Sequence, residues 1–235
     1  MSEQNTNKGF SHEKIETNNF LMIVLILLVV AFGGLVEIVP LFFQKSTTEP
    51  IRGLQPYTAL QLAGRDIYQR EGCYNCHSQM IRPFRAETLR YGHYSVAGES
   101  VYDHPFQWGS KRTGPDLARI GGKYPDSWHY NHMLDPGSMS PGSIMPPYPW
   151  LFDDQIDVSS TVAKIKAMKR LGVPYPEGYE NIAAKDMEKQ AKTITENLKK
   201  DGVQVLADRE IVALIAYLQR MGTDIKNQPK ETNSK

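Results

Sequence analysis

The chain has 235 residues, a formal net charge of +1, 40% hydrophobic and 23% charged residues, and two cysteines. Charge so close to balance, with no strongly basic stretch, excludes nucleic acid as an expected partner. Once one long apolar segment is set aside, roughly 180 residues remain, the size of one ordinary domain.

Residues 1–18 are polar and of mixed charge. Phe20 to Val36 then carries no charge, and past a single Glu37 the apolar run continues to Phe43. A helix from Phe20 to Phe43 would be about 36 Å long at about 1.5 Å per residue, enough to cross a hydrocarbon core of about 30 Å with some tilt. We therefore expect a membrane anchor over residues 19–43. A cleaved signal peptide is the competing reading. Against it, the run exceeds the usual apolar region of a signal, its preceding flank is not simply basic, and no small-x-small site follows. Lys8 and Lys14 nearly balance Lys45 and Arg52, so charge does not orient the span. Glu37 lies toward its outer end, either as a partner for another helix or near the headgroups.

Residues 44–56 read as a polar tether, and the main domain is expected over 57–224. Leu60, Gly64, Ile67 and Tyr68 fall at helical spacing, which predicts a helix over 57–71 stopped by Gly72. Cys73-Tyr74-Asn75-Cys76-His77 follows and consumes both cysteines. C-x-x-C-H is the attachment pattern of a covalent haem: two thiols add across the vinyl groups, and the adjoining imidazole is delivered to the iron. A redox pair or half of a zinc site would not require a histidine directly after Cys76, and the chain has no second C-x-x-C. Thioether formation needs a compartment managed for thiol chemistry, in bacteria the periplasm. The expected placement is the bacterial inner membrane, with the N-terminus cytoplasmic and the haem domain periplasmic.

Residues 82–123 are rich in Gly, Pro, Tyr and charge without sustained periodicity, and read as long loops packed on a cofactor. Within them Arg82, Arg85, Lys111, Arg112 and Trp108 could meet the haem propionates, or be ordinary surface groups. A shorter helix is expected around Ser127–Leu134. The ligand opposite His77 must come from farther along. Met145, in Ser143-Ile144-Met145-Pro146-Pro147, places a soft sulfur on a stiff loop. Its rivals are Met80, Met133 and Met139, and histidine ligation by His93, His104, His129 or His132. Residues 153–201 read as an insertion with one amphipathic pattern through Val162, Ile165, Met168 and Leu171 and a second, highly charged one from Lys185 to Lys200. It is expected to be a docking surface for neighbouring subunits or a solvated decoration. Asp208 is the expected N-cap of a helix over Arg209–Met221, with Ile211, Leu214, Ile215 and Leu218 as its stripe and Gly222 as its stop. Residues 225–235 read as a flexible tail.

The segments REGCYNCHSQMIRPFRAE, YSVAGESVYDHPFQWGSKRTGPDLARIGGKY and SMSPGSIMPPYPWL resemble the monohaem subunit of the bacterial cbb3-type cytochrome c oxidases, and the likeness covers nearly the whole chain. It implies a mainly α fold: a single N-terminal transmembrane helix plus a class I cytochrome c domain with long loops and a helical insertion. It also implies one covalently bound haem c on Cys73 and Cys76, with His77 and Met145 as iron ligands. Gly114-Pro115 resembles the loop whose proline carbonyl accepts a hydrogen bond from the proximal histidine. Gly64, Tyr68 and Tyr217 match the contact between the first and last helices. The implied function is electron relay from a cytochrome c or a dihaem subunit to the low-spin haem b of a catalytic subunit, where oxygen is reduced to water. This chain itself offers no histidine cluster for a copper site. The implied partners are the catalytic haem–copper subunit, the dihaem cytochrome c subunit and the lipid bilayer. The small cytochrome subunit of a nitric oxide reductase also has one anchor and one haem c, but the tyrosine- and proline-rich segments argue against it. A ligand-binding haem enzyme or gas sensor would differ by binding carbon monoxide.

Overall fold

The computed structural model describes residues 12–109 and 111–226; residues 1–11, Ser110 and residues 227–235, which hold most of the expected N-terminal segment and tail, lie outside the described part. The chain divides into two compact units, Met1–Glu49 and Pro50–Lys235.

In the first unit, helix α1 spans Asn19–Ile38, and the Asn18 side chain caps it by accepting from the Leu21 N–H at 3.0 Å. A 3-10 turn, Val39–Phe43, follows, because Pro40 has no N–H to continue the α ladder. The twenty α-helical residues give about 30 Å of rise, and the tighter turn adds about 10 Å. None of the side chains of α1 is buried, although the segment is apolar all round. Asn19–Phe43 is thus long and apolar enough to cross a membrane, and an apolar surface on every side is what lipid requires.

The second unit is built on two crossing helices, α2 (Ala59–Arg70) and, far along the chain, α7 (Glu210–Arg220). They meet at Gly64, where an added Cβ would overlap the Ala213 carbonyl and approach the Tyr217 Cβ to 2.9 Å. With no side chain at Gly64 the two backbones touch. Tyr68 and Tyr217, both fully buried, then pack edge to face at 5.4 Å between ring centroids. Arg70 and Glu210 pair across the ends of the two helices, with one bond at 2.7 Å, and Glu210 sits in the first turn of α7, where the helix dipole favours an acid.

Helix α7 begins differently from the sequence expectation. Its N-cap is Arg209, without a side-chain cap, rather than Asp208. An isolated antiparallel bridge, Gln155 with Arg209, does the work instead: the Ile156 N–H donates to the Asp208 carbonyl at 2.8 Å and the Glu210 N–H to the Asp154 carbonyl at 3.0 Å. The backbone of a distant segment thus satisfies the Glu210 N–H, one of the donors that the start of a helix leaves open.

Before the Met145 loop come helices α3 (Arg85–Tyr91) and α4 (Asp126–Leu134), the second followed by a single helical turn at Pro136–Met139. The first lies inside the stretch expected to be loop, because seven residues are too few to display a helical period. Beyond the loop come α5 (Thr161–Arg170) and α6 (Tyr179–Lys200). They are not a decoration. Ala183, Met187, Ala191 and Leu198 form one buried face of α6 within the core that holds α2 and α7. On α5 the buried face is Thr161, Ile165 and Met168, whereas Val162 and Leu171 are 39% and 57% exposed, so the expected stripe was too wide. The inserted segment also fastens the start of α2. Tyr179 Oη accepts from the Ala59 N–H at 3.1 Å, Tyr175 Oη donates to the Tyr57 carbonyl at 2.6 Å, and Thr58 Oγ1, half of a capping box with Gln61, donates to Gln190 at 2.7 Å.

On α4, His129 is 1% exposed, lies edge-on to Tyr124 and Trp128, and has no partner for Nε2 among the described residues. Burial, and secondarily His132, pushes its pKa down to about 4.

Two outcomes are expected. Gly64→Ala should lower the thermal midpoint of the protein, overpacking of this kind costing about 1–3 kcal/mol; an unchanged midpoint would show that the helices can separate freely. The unfolded chain protonates His129 as pH falls through 6.5 but the folded chain only near 4, so this contribution to stability is complete above 6.5 and lost on the way down to about 4. His129→Phe should flatten the stability profile over that window, and profiles of equal slope for both proteins would contradict the assignment.

Candidate functional site

Helix α2 leads directly into the cysteine pair. Its end is turned by Gly72 at φ +68°, a left-handed conformation that favours glycine, and the chain enters a 3-10 turn over Cys73–Asn75. The Cys76 and His77 N–H groups both donate to the Cys73 carbonyl, at 3.2 and 2.9 Å, which closes the turn and sets both cysteines and His77 on it. Both thiols are free; Cys73 is half-buried and Cys76 exposed. Burial, helped by the charge of Glu71, pushes the Cys73 thiol up to about 12.

The imidazole of His77 is oriented from behind. Its Nδ1 lies 2.7 Å from the Pro115 carbonyl oxygen. A carbonyl can only accept, so Nδ1 carries the proton and Nε2 keeps its lone pair for a metal. Gly114 is required at this place, since a Cβ there would overlap the His77 ring. The Gly114 N–H also donates to the Cys76 carbonyl at 2.9 Å, which draws the two segments together.

Met145 sits on a loop tied at three points. Its own N–H donates to Ser143 Oγ at 3.2 Å, the Tyr148 N–H to the Met133 carbonyl at 2.9 Å, and the Trp150 Nε1–H to Glu71 at 3.0 Å. The last tie joins the loop to the end of α2, two residues before Cys73. Met145 is partly buried against the core. The phenol of Tyr148 is raised in pKa by burial and then by the charges of Cys73 and Cys76. Two free thiols, an imidazole with a free Nε2, a cradle where a Cβ would intrude and a thioether on a braced loop fit a covalent haem.

The rivals of Met145 stand as follows. Met133 and His129 are buried in the packing of α4, and His132 stacks on Trp128 at 4.5 Å. His93 bonds the Tyr94 carbonyl through Nδ1. Met80 lends its backbone N–H and carbonyl to Asp116 and Arg112.

The cations expected at the propionates are spread more widely. Arg82 and Arg112 converge on Glu87 of α3, where the Arg112 guanidinium leads in holding the carboxyl down to about 2. Arg112 also donates from Nε to Ser78 Oγ at 2.7 Å and from Nη2 to the Met80 carbonyl at 2.8 Å. Trp108 stacks on Phe106 at 4.6 Å and donates to Ser100 Oγ at 3.2 Å. Arg85, in the first turn of α3, and Lys111 are exposed. Ser78, Glu87 and Asp116 are residues of this network that sequence reading missed. The only trace was an acid four residues after Arg112, in a stretch without periodicity.

No curated protein matches the chain. The family model of the cytochrome c oxidase mono-haem subunit, FixO, matches residues 12–225. Nearly the whole chain is thus covered by one family, and the mainly helical fold with one apolar N-terminal helix agrees with it. The chain belongs to the mono-haem subunits of cytochrome c oxidase.

Proposed function

We propose that the chain is a membrane-anchored electron carrier whose single haem is bonded covalently to Cys73 and Cys76 and ligated by His77 and Met145. The observation that carries this reading is the bond from His77 Nδ1 to the Pro115 carbonyl on the turn that also carries both thiols. It selects the tautomer, fixes the ring and leaves one nitrogen to bind.

When bound, the haem iron supplies a one-electron couple. The chain's own residues keep that couple closed to other chemistry. The Pro115 carbonyl holds the proximal ring, and the Trp150 and Tyr148 bonds hold the loop of the opposite ligand. If His77 and Met145 both hold the iron, oxygen would find no open site on it, and the chain would move electrons without doing bond chemistry. As a subunit of an oxidase it works with other chains. The route we propose runs from a cytochrome c or a dihaem subunit, through this haem, to the low-spin haem b of the catalytic subunit, where oxygen is reduced to water. In this reading residues 19–43 are the anchor, the N-terminus is cytoplasmic and the haem domain, residues 57–224, is periplasmic. The requirement of thioether chemistry for a compartment that manages thiols supports this orientation.

The test is a reduced absorption spectrum of the intact protein before and after carbon monoxide, with denaturing electrophoresis to see whether haem stays on the polypeptide. The native protein should retain haem through denaturation and show no spectral change with the gas. A clear shift would favour a ligand-binding haem protein. Met145→Ala should keep the attached haem, lower its potential and gain carbon monoxide binding. Unchanged coordination in that variant would move the ligand to another residue.

A further inference from the structure

One carboxylate stands immediately behind the proximal ligand pair. The side chain of Asp116 is 0% exposed. Its Oδ2 accepts from Ser78 Oγ at 2.6 Å, from the Met80 N–H at 2.9 Å and, more distantly, from Arg112 Nη2 at 3.4 Å; Oδ1 accepts from the Ala118 N–H at 2.8 Å. These donors come from two segments only. Ser78 and Met80 follow His77, whereas Arg112 and Ala118 bracket Gly114 and Pro115. Two backbone bonds run beside them, from the Gly114 N–H to the Cys76 carbonyl and from the Leu117 N–H to the Ser78 carbonyl, each 2.9 Å.

A buried carboxylate is tolerated only when hydrogen bonds replace its lost water, and losing them is far more costly than the bonds are individually worth. The distance between the segments is therefore set by the geometry around Asp116. Pro115, its direct neighbour, carries the carbonyl that receives the His77 proton. Arg112 is itself aimed, by Glu87 at 2.7 Å, by Ser78 and by the Met80 carbonyl.

We propose that Asp116 is the positioning residue of the proximal histidine: by clamping residues 78–80 to residues 112–118 it sets the Pro115 carbonyl against His77 Nδ1, and so the orientation and donor strength of the ring. The inference rests on His77 being an axial ligand, as proposed above. A firm bond to Nδ1 makes the imidazole more basic and favours the oxidised iron. A loosened bond raises the potential.

The experiment compares Asp116→Asn with Glu87→Gln, both in the full haem-loaded chain assembled with its partner subunits. The amide keeps the size of Asp116 and an acceptor for Ala118 but turns an NH2 toward Ser78, Met80 and Arg112. Glu87→Gln removes a negative charge from the same arginine without touching the backbone of residues 116–118. Asp116→Asn should raise the potential by about a tenfold change in the reduction equilibrium, about 59 mV for one electron. It should also shift the proton resonances of the His77 ring. Glu87→Gln should leave those resonances in place.

Equal potential changes in the two variants, with native His77 resonances in both, would reduce Asp116 to a source of charge and overturn the proposal. A lower melting point in Asp116→Asn with native potential and resonances would overturn it too, as a purely structural role. If Asp116→Asn does not accumulate, Ser78→Ala decides. Removal of the 2.6 Å donor should give a smaller change of the same sign, and native potential and resonances there would overturn the inference. His77→Ala separates the two claims. If that variant keeps the native spectrum, the ligand assignment fails; if it loses the spectrum while Asp116→Asn changes nothing, only the role of Asp116 fails.

Discussion

The backbone contact between α2 and α7 at Gly64 and Ala213 is the constraint on which the second unit depends. Two helices separated by more than a hundred residues can touch there only because one of them has no side chain. That contact brings Tyr68 and Tyr217 into register and fixes the direction in which α2 delivers its last turn. Gly72 then converts the fixed direction into a fixed position for Cys73, Cys76 and His77. The inserted helices serve the same end from the other side. Tyr175, Tyr179 and Gln190 hold the first turn of α2, so the helix that presents the attachment turn is held at both ends.

Much of this was legible in the sequence, for reasons that differ by element. The membrane segment is a composition signal that survives any tertiary context, and α1 with its 3-10 extension occupies the expected residues. The cysteine–histidine turn is legible because two thiols with an adjoining imidazole form a short, local pattern that needs no tertiary context to be read. Gly64, Tyr68 and Tyr217 could be placed because the family resemblance implies a contact between the first and last helices made by a small residue and aromatics. The N-cap of α7 was misread because Asp208 is a good capper in isolation, and nothing local announces that residues 154–156 will bring backbone acceptors and donors to the same place. The role of α6 was misread for a related reason. Its charge hides a narrow apolar stripe of two alanines, a methionine and a leucine, which becomes a core only when α2, α4, α5 and α7 close on it.

Polar groups around the proximal segment were the least legible part. Ser78, Glu87, Arg112 and Asp116 are spread over almost forty residues and lie on no common periodic element. Their meaning is created by the fold, which removes water from Asp116 and replaces it with donors from Ser78, Met80, Arg112 and Ala118. Two of the arginines weighed for a cofactor's carboxylates, Arg82 and Arg112, are paired here with the protein's own Glu87. Ion pairs and side-chain bonds brace this region where regular secondary structure is sparse, and His77, which rests on it through the Pro115 carbonyl, has little freedom to swing.

The two thiols are unequal, and the inequality bears on how the protein is made. Cys76 is open to solvent, whereas Cys73 is half-buried, and burial pushes its thiol up to about 12. A thiol in that state is a poor nucleophile. If both sulfurs form thioethers as proposed, the half-buried one would react more readily while the turn is still open. Attachment would then precede the final packing of the turn.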